Sequence, residues 1–185
     1  MTRAGLVIGL IGLTVAGAPP GHADPLPSGS IGVLFGGGAG TGKSRNTLGI
    51  GYYQFGGQAA WQPMNTDQHI GWSFKWQFVF GTMYESDSAR VDDFLRTLQM
   101  DFLAGIRFRP WASPTRYLAL RGGVELLRSN ELIDGQRAYV GAVAMGSFEQ
   151  YAFGKLLLDV DLRYGLIGSG PAELALLVGA SLAIP

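Results

Sequence analysis

A regular alternation of bulky apolar and small or polar residues dominates the middle of the sequence. Between residues 70 and 80, every second side chain is large and apolar: Ile70, Trp72, Phe74, Trp76, Phe78 and Phe80. The side chains between them are small or polar, apart from Val79. Because alternate side chains of a β-strand point to opposite faces, the pattern predicts a strand with one apolar face and one mostly polar face.

The same period of two recurs along the chain and predicts eight strands. The predicted ranges are 30–36, 47–55, 70–82, 98–109, 116–127, 137–148, 151–166 and 172–184. In the second strand Leu48, Ile50 and Tyr52 occupy the apolar face, and the phase of the sixth strand is ambiguous. Residues 37–46 and 83–96 are predicted loops, and the second allows at most a short helix through Val91, Phe94, Leu95 and Leu98.

The chemistry of the two faces distinguishes a membrane barrel from a soluble one. Only 15% of residues are charged, against about 25% in a typical soluble domain. The polar faces carry mainly Gly, Ser, Ala and Thr, which suit a narrow lumen, and the apolar faces are uncharged, as contact with lipid requires. The pattern predicts an all-β fold, an up-and-down antiparallel eight-stranded transmembrane β-barrel. A soluble exported barrel that binds a small apolar ligand is the alternative.

The N-terminal residues have the organisation of a secretion signal. Arg3 precedes an apolar run over residues 5–15, and Gly21 and Ala23 are the small residues that a signal peptidase reads. The apolar run is shorter than the roughly 20 residues of a transmembrane helix. We therefore expect a signal peptide at 1–23 and a barrel domain at 24–185.

Nine charged residues fall on the predicted inward faces, with nearly balanced signs. They are Lys75, Asp101, Arg107, Arg109, Arg121, Glu125, Asp159, Asp161 and Arg163. Unpaired buried charge is strongly disfavoured, so we expect an ion-paired lumen without an open pore. A loop folded symmetrically about Ser88 would place Lys75 opposite Asp101. An ion or proton path along these charges is the alternative.

Composition argues against several other functions. The formal net charge is zero, so a broad basic surface for nucleic acid is absent. The chain has no cysteine and only His22 and His69, and we expect no metal or cofactor site. Residues 37–44 match the phosphate-binding P-loop string, but alternating residues and glycines follow where a helix is required. We therefore expect no nucleotide binding.

A serine–histidine hydrolase site is also not favoured. His69 and Ser73 share a strand face, but they are about 13 Å apart along it, which exceeds hydrogen-bond reach. A lipid-modifying barrel enzyme nevertheless remains the alternative to a protein without catalytic activity.

The signal sequence, the eight alternating strands and the Trp and Tyr residues near strand ends resemble the OmpA-type small outer-membrane β-barrels. The chain departs from that family in ending Ala183-Ile184-Pro185 rather than in an aromatic residue. The resemblance implies the outer membrane of a Gram-negative bacterium, with periplasmic termini and exterior loops around Gly40, Ser88, Glu131 and Ser169. It further implies contact with outer-membrane lipid, and a structural or surface-interaction role in which the charged loop 83–96 meets a cell-surface partner. Two interpretations stay open for six aromatic residues, a place in interfacial girdles or ordinary packing: Trp61, Trp72, Tyr84, Trp111, Tyr117 and Tyr151.

Overall fold

The computed structural model is a closed barrel of eight strands, each hydrogen-bonded to its neighbours in chain order. It describes residues 28–41, 52–64, 68–84, 94–110, 115–133, 136–152, 155–167 and 172–184. Every regular element within those ranges is a strand, and all pairs are antiparallel. The predicted up-and-down eight-stranded barrel is therefore confirmed.

The strand boundaries agree with the predicted ones most closely at the third and eighth strands. The eight strands are β1 Gly29–Thr41, β2 Tyr52–Trp61, β3 Ile70–Tyr84, β4 Phe94–Phe108, β5 Arg116–Ile133, β6 Gln136–Ala152, β7 Leu156–Ile167 and β8 Ala172–Ile184. The pairing of β1 with β8 closes the barrel and runs from Gly29 opposite Ile184 to Thr41 opposite Ala172. Both ends of the barrel-forming chain thus lie at one mouth, here called the terminus end. The opposite mouth, where β1 and β3 end at Thr41 and Tyr84 and β2 and β4 begin at Tyr52 and Phe94, is called the loop end.

The second strand differs most from its prediction. It begins at Tyr52 and continues to Trp61, through residues that were predicted to connect two strands. Tyr53, Phe55 and Trp61 point outward, whereas Gln54 and Gln58 are buried. The apolar face of this strand is therefore odd-numbered, and its predicted members Leu48 and Ile50 lie outside the described residues.

Several predicted loops are shorter than expected because strands extend into them. Strand β1 includes residues 37–41 and β4 begins at Phe94, so Phe94, Leu95 and Leu98 are in a strand rather than in a short helix. Strand β5 extends to Ile133, and its pairing with β6 is irregular between Arg128 and Ile133. The central part of the loop at 85–93 lies outside the described residues.

The ambiguous sixth strand has a definite phase in the structure. Val143, Met145, Ser147 and Glu149 are buried, while Val140 and Phe148 are exposed. The strand also includes Tyr151 and Ala152, which were predicted to begin the seventh strand.

Large apolar side chains cover the outside of the barrel. Trp72 is 66% exposed and Phe102 is 51% exposed, and outward aromatic rings of β2 and β3 pack across the strands. The rings of Trp61 and Phe74 are stacked with centroids 5.5 Å apart, and those of Phe55 and Phe80 with centroids 5.7 Å apart. The wall thus has an apolar exterior of the kind that lipid contact requires.

The girdle interpretation is wrong at two positions. Tyr117 and Tyr151 are buried inside the barrel, because they lie on the inward faces of β5 and β6. Trp61 and Trp72 are exposed on the outside, and the side chains of Tyr84 and Trp111 lie outside the described residues.

Inward-facing glycines allow neighbouring strands to approach closely. A Cβ atom on Gly123 would overlap the carbonyl oxygen of Phe102, and one on Gly105 would overlap that of Leu120. Glycine kinks of this kind let strands coil enough to close a small barrel. The outward neighbour Gly122 is in open surroundings, since a Cβ there would lie 3.8 Å from its nearest contact, the carbonyl oxygen of Val143.

We expect alanine at adjacent positions 122 and 123 to have opposite effects. Gly123→Ala should destabilise the barrel by about 1–3 kcal/mol, as overpacking usually does. Gly122→Ala should stabilise it by roughly 0.5 kcal/mol, because alanine has less backbone freedom to lose than glycine. Urea unfolding of the refolded protein measures both changes, and equal effects would contradict the close approach at Gly123.

Candidate functional site: the barrel lumen

The inward faces of the strands carry a continuous set of polar and charged side chains. Eight of the nine residues predicted for the lumen are buried there: Lys75, Asp101, Arg107, Arg121, Glu125, Asp159, Asp161 and Arg163. The ninth, Arg109, follows the end of β4 and is only half-buried. Its backbone N–H donates to the carbonyl oxygen of His69 over 2.9 Å.

One group of six residues, here called the balanced network, occupies the half of the lumen nearer the terminus end. Its members are Lys75, Arg107, Arg121, Glu149, Asp159 and Asp161, three cations and three carboxylates. Lys75 Nζ lies 2.9 Å from Asp159 Oδ2 and 2.5 Å from Asp161 Oδ2. Two guanidinium groups share Glu149: Arg107 Nε is 2.8 Å from its Oε2, and Arg121 contacts its Oε1.

Serine hydroxyls accept the remaining hydrogen bonds of Arg121. Its Nε donates to Ser73 Oγ over 2.8 Å, and its Nη1 donates to Ser147 Oγ over 2.7 Å. The guanidinium is therefore held by side chains from β3 and β6 as well as by Glu149. This arrangement meets the requirement that a buried charge be both paired and hydrogen-bonded.

Aromatic and apolar groups close the lumen near the terminus end. The Arg107 Cζ atom lies 3.8 Å from the centroid of the Tyr117 ring and 5.3 Å from that of Tyr151, within cation–π range. The two tyrosines pack with Met64 and Leu157 in one buried cluster. The segment after β2 thus turns inward across this mouth.

A second group, here called the Arg163 cluster, lies towards the loop end and consists of Asp101, Glu125, Arg163 and Glu173. Arg163 donates to Asp101 through both Nε, at 2.7 Å, and Nη2, at 3.1 Å. Its Nη2 is 2.7 Å from Glu125 Oε1, and its Nη1 contacts Glu173. All four residues have no solvent exposure.

Glutamine side chains donate hydrogen bonds to carboxylates in both charged groups. Gln77 donates to Asp161 over 3.1 Å, and Gln58 donates to Asp159 over 2.8 Å. Gln99 donates to Glu173 over 2.9 Å and accepts from Gln54 over 2.6 Å. Each of the two charged groups is therefore extended by its own hydrogen-bonded glutamines.

The predicted pairing of Lys75 with Asp101 is wrong. The register places Gln77 opposite Asp101 and Leu103 opposite Lys75. It is shifted by two residues from the register that a loop centred on Ser88 would give. Asp101 pairs with Arg163 instead, and Lys75 reaches across the lumen to β7.

Sequence reasoning missed two carboxylates of the lumen. Glu149 lies two residues after Ser147 on the inward face of β6, beyond the predicted end of that strand. Glu173 alternates with Leu174 at the start of β8, so the period of two could have identified it.

The structure places the residues of the two sequence motifs, the His69–Ser73 pair and the P-loop string. Ser73 is buried in the lumen as a partner of Arg121, whereas His69 is exposed. Residues 37–41 of the P-loop string pair with β8 as part of β1, and residues 42–44 lie outside the described ranges. Within those ranges, no group of His, Asp and Glu side chains has the geometry of a metal site, and no helix has the length and apolar character needed to cross a membrane.

Solved structures with the same architecture are small β-barrels. The chain is 14% identical to Ail, the attachment invasion locus protein of Yersinia pestis, with a TM-score of 0.57 over 86% of this chain and 99% of Ail. A complex of Ail with the heparin analogue sucrose octasulfate gives 0.56 at 14% identity, over 84% and 98% of the two chains. Neisserial surface protein A gives 0.53 at 10% identity, over 85% and 97%. At these identities the likeness establishes the fold, that of a small transmembrane β-barrel.

Comparison of the sequence alone gives no assignment. No protein-family model matches the chain, and no curated protein sequence matches it.

Removal of the lysine charge in the balanced network should destabilise the barrel strongly. Lys75→Met would leave Asp159 and Asp161 without their cation, and breaking a buried pair in this way costs about 3–5 kcal/mol. Lys155→Met in the exposed turn before β7 is the control and should stay within about 0.5 kcal/mol of the parent. Urea unfolding in lipid vesicles measures both, and a small effect at Lys75 would contradict the buried pairing.

Proposed function

We propose that the protein is an outer-membrane β-barrel of the OmpA type that displays exterior loops on a rigid barrel and has no catalytic activity. In this proposal residues 1–23 are a signal peptide, 24–185 form the barrel domain, and the protein resides in the outer membrane of a Gram-negative bacterium. The lumen is closed by its own side chains. The role is structural or depends on contacts at the cell surface.

One observation carries the proposal: apolar side chains face outward and charged side chains face the lumen, which is the reverse of the arrangement in a soluble barrel. Trp72, Phe102 and Leu120 are more than half exposed, while Arg107, Arg163 and Asp161 are fully buried. Water would disfavour this exposed apolar wall, whereas hydrocarbon matches it. A closed sheet also satisfies its backbone hydrogen bonds without water.

The contents of the lumen support a closed interior rather than an ion path. An eight-stranded barrel is just wide enough for side chains to fill it. Here the charged groups contact one another directly, and the tyrosine cluster packs across the terminus end. The guanidinium groups of Arg107, Arg121 and Arg163 each contact side chains from two or more strands, which opposes ion movement.

In the proposed orientation the termini are periplasmic, so the loop end faces the cell exterior and is the surface that a partner would contact. The predicted loop 83–96, whose two ends lie in β3 and β4, carries Glu85, Asp87, Asp92 and Asp93 against Arg90 and Arg96. Its excess of carboxylates favours a basic or neutral partner surface. The polysulfated ligand bound to Ail is an anion, so the charge of this loop does not favour a ligand of that kind.

The two alternatives have less support. A lipid-modifying enzyme that used His69 and Ser73 would need them together, but one is exposed and the other is engaged by Arg121. A soluble barrel with an apolar ligand would need an apolar interior, whereas this lumen holds ten buried charged side chains: Lys75, Asp101, Arg107, Arg121, Glu125, Glu149, Asp159, Asp161, Arg163 and Glu173.

An arginine scan on one strand tests the membrane assignment. Val124 and Asn130 both lie on the outward face of β5, Val124 in its middle and Asn130 near the loop end. In lipid vesicles, Val124→Arg should cost about 2–4 kcal/mol of folding free energy and Asn130→Arg about 0–1. A soluble barrel would tolerate both substitutions within about 0.5 kcal/mol, and that result would contradict the proposal.

Replacement of an exterior loop tests the surface role. Residues 85–93 are exchanged for a Gly/Ser linker of equal length, and the control exchanges residues 168–171. Both proteins should fold, as shown by a heat-shifted band on electrophoresis. Vesicles that carry the first variant should lose binding to an array of matrix proteins and glycans, while the control should retain it. Absence of any binding by the parent would contradict the surface-interaction role.

A further inference from the structure

The outer wall of the barrel carries a groove in the half nearer the terminus end. It crosses β2, β3 and β4 and has a volume of about 490 Å³, which lies within the range of about 300–1,000 Å³ that is typical of small-molecule sites. Its base is the row of paired residues Ala60, Lys75 and Leu103. The side chains of Lys75 and Leu103 are buried on the lumen side, so these two positions offer the groove their backbone.

Two rows of outward side chains form the sides of the groove, and each row consists of two aromatic residues and one alanine. The rows lie two residues apart along each strand, or about 7 Å, which leaves room for one hydrocarbon chain between them. Because the alanines lie at opposite ends of the two rows, each side is high over β3 and low at one outer strand. The paired members are Trp61, Phe74 and Ala104 in one row and Ala59, Trp76 and Phe102 in the other.

Neighbouring side chains hold the aromatic rings of the groove in place. The ring of Phe74 is stacked with that of Trp61 in its own row, with centroids 5.5 Å apart. Trp76 packs instead against Phe78, on the side away from Phe74, with centroids 5.7 Å apart. Phe78 in turn covers Gly57, where a Cβ atom would lie 2.5 Å from the Phe78 ring. The groove is therefore preorganised, which lowers the entropic cost of binding a ligand.

The chemistry of the lining selects an apolar ligand. The side chains that reach the groove are apolar, because its one charged member, Lys75, directs its ammonium group to Asp159 and Asp161 in the lumen. A lipid headgroup or a sugar would leave its polar groups without partners there, whereas a hydrocarbon chain gains close contacts with the rings. In a transmembrane barrel this wall faces the hydrocarbon, so acyl chains are the molecules that surround the groove.

We propose that this groove binds one acyl chain of a phospholipid from the membrane leaflet at the terminus end and holds it in place against exchange with the bulk lipid. The leaflet follows from depth, because Trp61 is the last residue of β2 at that end and Phe74 lies near the start of β3. The inference rests on the proposed function for its orientation, in which this is the periplasmic leaflet and consists of phospholipid. It deepens that proposal by assigning a particular lipid site to the wall.

The test is native mass spectrometry of the full chain after extraction in mild detergent from vesicles of phosphatidylethanolamine and phosphatidylglycerol. The parent should retain one phospholipid. Trp76→Ala lowers one side of the groove, so the retained phospholipid should fall about tenfold, which corresponds to about 1.4 kcal/mol of lost contact. Trp72→Ala is the matched control and should retain lipid as the parent does, because Trp72 is also outward on β3 but does not line the groove. A parent without bound phospholipid, or an equal loss in both variants, would overturn the proposal.

Electron spin resonance in vesicles gives a second readout that does not depend on extraction. Phosphatidylcholine with a nitroxide on its acyl chain should show an immobilised component with the parent and with Trp72→Ala, and a weaker one with Trp76→Ala. Retention of lipopolysaccharide instead of phospholipid by protein taken from cells, or a dimer of the chain that disappears in Trp76→Ala, would identify a different occupant and would also overturn the proposal.

Heat-shifted electrophoresis of the outer-membrane fraction separates this inference from the proposed function. The parent and both variants should give the shifted band. A parent that gives the band but binds no phospholipid would contradict the groove alone, whereas a parent without the band would contradict the membrane barrel on which the groove depends.

Discussion

A charge inside a narrow closed barrel must be neutralised where it lies, because little water reaches it and its side chain has nowhere else to go. This constraint explains why the lumen is built from contacts that cross it, such as Lys75 from β3 to Asp159 on β7. It also explains the positions of some glycines. A side chain at Gly179 would occupy the space of the Asp159 carboxylate, and one at Gly165 that of Glu125.

The residues on the exterior of the barrel are less constrained than those in the lumen. Its outward positions need only be apolar and wide enough to cover the backbone, so they tolerate many residue types. Trp, Phe, Leu and Val occur there in no fixed order, and the ring contacts between β2 and β3 are local. This freedom agrees with the low identity between this chain and other small barrels that share its architecture.

The period of two was sufficient to predict the barrel and the faces of β3, β7 and β8, where bulky residues alternate with small or polar ones. It failed at β2, because Gly56, Gly57, Ala59 and Ala60 carry almost no apolar signal. The partners of Lys75 and Asp101 could not be predicted, since register depends on the geometry of the connection between β3 and β4 rather than on either strand. Glu149 was missed because the end of a strand is poorly marked in sequence.

The seam between β1 and β8 joins the two most distant parts of the barrel-forming chain, with Gly29 opposite Ile184. The other seven pairings join strands that are adjacent in sequence and can form as soon as both strands are available, but this pairing must wait for the final strand. Until then β1 and β8 each present an open edge that could pair with another molecule. The topology therefore constrains the order of assembly. Strands can be inserted progressively, whereas the barrel can close only once, after β8 is in place.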